Sequence, residues 1–145
     1  MRSSFASRVV YGALVVLLAA SIFPARAAEV AAGSLTGDWS GTSVCAANHD
    51  SCKDEKALYH LTGPNERQLV TVVGSKIVDG REIVMGPPMD FRYDTEKKTL
   101  LLENQVGVFR FTVGGEKNDK LDGTLTLPSG VLYRRIALKK VAKES

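Results

Sequence analysis

The chain of 145 residues is poor in the residue types that carry most side-chain chemistry: two cysteines, two histidines and one tryptophan. A metal site needs three or four convergent ligands. His49 and His60 stand apart with no further ligands arranged around them, so no metal and no other cofactor is expected. No Ser-His-Asp order occurs, and Gly37-Asp38-Trp39-Ser40-Gly41 lacks the G-x-S-x-G spacing of a nucleophile elbow. The one notable carboxylate pair, Asp54-Glu55, consists of neighbours. On a strand these point to opposite faces and form no acid/base dyad. With these groups missing, no reaction is assigned and the chain is not expected to be an enzyme.

A surplus of one charge sign is also missing from the body of the chain. The formal net charge is +3, but Arg2, Arg8 and Arg26 supply that excess and no acid precedes Glu29. Beyond residue 27 the charges balance. Nucleic-acid binding ordinarily needs a strongly basic face, so a nucleic-acid partner is not expected. The balance is uneven along the chain, since Arg134, Arg135, Lys139, Lys140 and Lys143 face only Glu144 near its end.

Long apolar runs are limited to one. Val9 to Phe23 follows Arg2 and Arg8 and precedes Pro24 and an Ala25-Arg26-Ala27 triplet, the layout of a secretory signal peptide cleaved after Ala27. As a helix the run reaches about 23 Å, short of a bilayer core about 30 Å thick. The division expected is a signal peptide over 1–27, a flexible lead over 28–34, a folded domain over 35–140 and a basic tail over 141–145. The protein is expected in the periplasm or outside the cell. No second run is long enough to span a membrane.

Export gives Cys45 and Cys52 a meaning. In an oxidising compartment an isolated pair reads as a disulfide, and C-x6-C fits neither C-x-x-C redox chemistry nor common zinc spacing.

What the sequence has in quantity is period-two alternation. Met89, Phe91 and Tyr93 share one face, and Leu132, Arg134, Ile136 and Leu138 share another. Asp79-Gly80 between two β-branched runs is a strong hairpin signal. Gly114-Gly115 and Pro128-Ser129-Gly130 punctuate in the same way. Strands are expected near 36–45, 56–62, 68–78, 81–86, 89–94, 99–104, 107–113, 121–127 and 131–139. Short strands with tight turns connect neighbours. A closed sheet removes exposed edges. The fold class expected is all-β: a small antiparallel up-and-down barrel of about eight to nine strands, with a half-closed barrel as the alternative.

The first strand opens with Gly37-Asp38-Trp39, and Arg134 sits on the inner face of the last. A buried charge needs a partner, and a guanidinium stacks well on indole. A G-x-W strand whose Trp39 is covered by Arg134 resembles the lipocalin-like, or calycin, barrels. The resemblance implies structural closure by Trp39 and Arg134 and a small-molecule cavity. The chain is shorter than typical lipocalins and lacks a C-terminal helix. Cys45, Cys52-Lys53-Asp54-Glu55, Tyr59, Lys76-Ile77-Val78-Asp79-Gly80 and Met85-Gly86 also resemble a group of small exported bacterial proteins, a likeness that supplies no function.

Two uses of the barrel follow. Tyr59, Met85, Met89 and Phe91, with Tyr93, Phe109 and Phe111, either line a cavity or fill the core. Gly86-Pro87-Pro88 is expected to bend the chain at the rim. Ser129-Gly130-Val131-Leu132-Tyr133 resembles a fragment of the motif in periplasmic lysozyme inhibitors. The leading expectation is an exported, monomeric, non-enzymatic barrel that binds a small apolar or amphipathic ligand. The alternative is a periplasmic protein-interaction module, an enzyme inhibitor or envelope accessory, acting through the disulfide loop and Ser129, Gly130 and Tyr133.

Overall fold

The computed structural model describes residues 34–46 and 51–143. The expected signal peptide, most of the lead, His49 and the last two residues of the tail lie outside the described residues. Nine strands follow one another: β1 (Gly37–Cys45), β2 (Glu55–Thr62), β3 (Leu69–Val78), β4 (Arg81–Val84), β5 (Met89–Asp94), β6 (Thr99–Asn104), β7 (Gly107–Gly114), β8 (Lys120–Thr126) and β9 (Leu132–Lys140). There is no helix among the described residues.

Eight of the strands close a barrel. Every pairing is antiparallel, and the order runs β1, β2, β3, β5, β6, β7, β8, β9 and back to β1. The ninth, β4, leaves the wall for a physical reason. β3 is ten residues long and pairs β2 from Thr71 to Ile77 along one edge. Its other edge is divided: Leu69–Val72 pairs β5, and Ser75–Val78 pairs β4. Pro87 and Pro88 have no N–H to donate, so the β4 ladder stops before them and the chain returns lower down as β5. Asp79 (φ 50°) and Gly80 (φ 75°) both take the left-handed conformation that the two-residue turn between β3 and β4 requires.

One end of the barrel is filled. Trp39 is fully buried there, and its Nε1 donates to the Leu35 carbonyl at 3.0 Å. The Leu35 amide donates in turn to Gly63 in the β2–β3 turn at 2.9 Å, so residues before β1 plug the base. Above this floor, Tyr59, Phe91, Phe109 and Phe111 meet edge to face, with centroids 5.8–6.3 Å apart, the arrangement their quadrupoles favour. Gly123 makes room for them: a Cβ there would strike the Phe111 ring.

The expected closure of Trp39 by Arg134 is corrected by the register. In an antiparallel pair the start of one strand meets the end of the other. Trp39 is opposite Lys140, whereas Arg134 is opposite Cys45. Lys140 covers the indole, its Nζ 5.6 Å from the ring centroid and donating to the Ser34 carbonyl at 3.3 Å. Arg134 points inward, as its alternation requires, but at the opposite end of the barrel.

A candidate binding cup at the open rim

The other end holds the ends of β1, β3, β6 and β8 and the starts of β2, β5, β7 and β9. Between them opens a cup of about 590 Å³. Its apolar wall comes from Tyr59, Met85, Met89, Phe109, Leu125 and Ile136. Polar groups enter from Ser43, Glu55, Arg134 and the amides Asn104 and Gln105. Another hollow, of about 450 Å³, lies among outward residues such as Thr42, Arg110 and Thr124. It is a concavity of the twisted sheet, whereas the cup continues into the barrel interior.

Period two delivers these side chains. Glu55, Ala57, Tyr59 and Leu61 alternate inward along β2, and Arg134, Ile136 and Leu138 do so along β9. Gly74 keeps the β3 wall low. A Cβ there would come into ordinary contact with Tyr59 and Met85, at 3.5 and 3.8 Å, so the absent side chain is part of the cup's space.

Arg134 organises the charged edge. Its Nη1 donates to the Ser43 carbonyl (3.3 Å), the Ser43 hydroxyl (3.2 Å) and the Lys53 carbonyl (3.1 Å). Glu55 faces the same nitrogen at 3.5 Å, and Lys76 approaches the other carboxylate oxygen at 3.4 Å. The guanidinium also lies 5.5 Å from the Tyr133 ring centroid. Burial pushes the Tyr59 hydroxyl up to about 12, against the opposing pull of Arg134, so Tyr59 is a neutral phenol at physiological pH.

The disulfide joins Cys45 at the end of β1 to Cys52 before β2, across 6.0 Å between Cα atoms. Asp54 accepts from the Cys45 amide at 2.8 Å. The base of the disulfide loop is thus tied to β1 by a covalent bond and to β9 through Arg134. Ser129 and Gly130 are exposed in the β8–β9 connection, and Tyr133 is half-buried beside it. That connection belongs to the same rim. Apolar side chains stand exposed around the mouth: Val78, Ile83, Val84, Met85, Val106 and Val131.

Of the aromatic and Met residues expected either to line a cavity or to fill the core, the structure makes both choices. Tyr59, Met85, Met89 and Phe109 line the cup. Phe91, Tyr93 and Phe111 are buried in the core and do not line it.

Three charged residues take roles that sequence reasoning did not assign. Glu55 and Lys140 each stand one residue beyond an expected strand boundary, where alternation in the sequence assigns no inward face. The third is His60, which the sequence shows only as standing apart from His49. It points outward but is held between Asp38 and Glu82, each at 2.7 Å. Hydrogen bonding to Asp38 and then to Glu82 raises its pKa above the ordinary 6.5. The Ser75 hydroxyl and then His60 lower that of Glu82. This contact ties the β3–β4 hairpin, which carries Met85 to the mouth, onto β1 and β2.

The sequence matches no protein-family model and no curated protein. Among solved structures it is similar to an odorant-binding protein, OBP1, with a TM-score of 0.47 and 13% identity over 76% of this chain and 73% of that one.

Proposed function

We propose that this chain is an exported, lipocalin-like binding protein that holds one small apolar or amphipathic molecule in the open cup. The cup itself carries the reading. Its volume of about 590 Å³ falls within the range of about 300–1,000 Å³ usual for small-molecule sites. Its walls are mainly apolar, with a few polar groups gathered at one edge. Below it the barrel is packed, so the ligand enters from the rim and goes no deeper than the aromatic floor. The two methionines at the mouth adapt to shape without a polar cost. The leader-like N-terminus and the disulfide support export to an oxidising compartment.

The test uses the full chain expressed with its own leader and recovered from the envelope or medium. Its expected N-terminus is Ala28. N-phenyl-1-naphthylamine, a neutral apolar fluorophore, should bind saturably at one site per chain and be displaced by single-chain amphiphiles. Absence of saturable binding by a folded sample overturns the reading.

A further inference from the structure

We propose that the cup prefers amphiphiles with a negatively charged head, because two cations, Arg134 and Lys76, share the single carboxylate of Glu55 at its edge. This deepens the preceding reading and rests on it. Glu55 spends one oxygen on each cation, at 3.5 Å from Arg134 Nη1 and 3.4 Å from Lys76 Nζ. These three side chains therefore sum to one positive charge. Arg134 and Glu55 are the charged side chains that line the cup among the described residues, and Lys76 stands behind Glu55, outside that lining.

Donor capacity agrees with the charge. A guanidinium has five N–H donors on three nitrogens. Every hydrogen bond that Arg134 makes among the described residues uses Nη1. Among those residues nothing takes Nε or Nη2, and together these two match the paired oxygens of a carboxylate or phosphate. Arg134 and Glu55 have side chains only 15% and 19% exposed, so their field is screened less than that of surface charges. Tyr59, neutral and buried, adds a phenol and no competing charge. An apolar tail then lies along Met89, Phe109 and Leu125 while its acid head reaches Arg134.

Dodecanoate, dodecyl phosphate, dodecanol and dodecyltrimethylammonium share one tail and differ in the head. They are competed against N-phenyl-1-naphthylamine on the full chain at neutral pH and low salt. Either anion is expected to displace the probe about tenfold more tightly than the alcohol, with the ammonium weakest. The two anions separate a carboxylate from a phosphate preference, and either one exceeding the alcohol supports the proposal. Glu55→Gln should widen the anion-to-alcohol ratio and Lys76→Gln should narrow it. A merely bracing Glu55 would instead weaken both ligands alike. Equal affinity for acid and alcohol overturns the charge preference while leaving the cup intact. Failure of all four to displace a bound probe overturns the cup reading as well.

Discussion

Lys140 stands over Trp39, its ammonium 5.6 Å from the centroid of the chain's single indole. The contact seals the filled end of the barrel and separates the two inward cations of β9 into different tasks. Lys140 → Ala should shift Trp39 emission and cost about 1 kcal/mol, the scale of a partly exposed cation–π contact. Arg134→Ala should leave Trp39 emission unchanged, because Arg134 sits beside Cys45. Trp39→Ala should cost on the order of 3–5 kcal/mol, since it empties a fully buried site. Urea unfolding and fluorescence of the variants check all three. Equal emission shifts for Lys140→Ala and Arg134→Ala would refute this division of roles.

Gly74 tests the cup without touching its polar edge. Gly74→Leu projects a side chain between Tyr59 and Met85, where a Cβ meets only ordinary contacts. Probe binding should fall at least tenfold while the melting temperature stays within a few degrees of the parent. Retained affinity in a folded Gly74→Leu variant would move the ligand out of the cup.

The clasp at His60 gives a pH dependence with a definite sign. Its folded pKa is raised above 6.5, by hydrogen bonds to Asp38 and then Glu82. Its stabilisation is therefore complete below 6.5 and lost as pH rises through the raised value. Glu82 is lowered from 4.5, so its share is complete above 4.5 and lost as pH falls through the lowered value. The β3–β4 hairpin should be best protected from hydrogen exchange between those limits. His60→Gln should remove the loss on the alkaline side. Hairpin protection that is flat from pH 6 to pH 9 would contradict the clasp.

The disulfide offers a separate check. The bridge spans a sequence separation of seven, for which chain-entropy reasoning gives about 2.5 kcal/mol. Cys45→Ser with Cys52→Ser should lower stability by that order and loosen the segment held by Asp54 and Arg134. Calorimetry measures the first effect. Hydrogen exchange at Lys53–Glu55 measures the second.

Much of this architecture was legible in the sequence. All nine strands, the Asp79-Gly80 turn and the Pro87-Pro88 break follow from period two and from backbone chemistry. Three things did not. Alternation places Arg134 inside but carries no height along the barrel axis, so it does not say which residue lies opposite Trp39. That requires the register of β1 against β9. Glu55 and Lys140 fell one residue outside the expected strands, and strand ends are where local pattern is weakest. The clasp at His60 joins residues from three strands, and nothing local relates Asp38 to Glu82. Whether the aromatics fill or line the barrel also depends on height: Phe91 and Phe111 lie low, Met89 and Phe109 high.

The central claim is that the open end holds one small molecule. Native mass spectrometry of the full chain, recovered gently from its native host, tests this most directly. The account predicts a one-to-one adduct of a small amphiphile, lost in Gly74→Leu. A folded parent protein that carries no adduct and takes up none from added dodecanoate or dodecanol would contradict it.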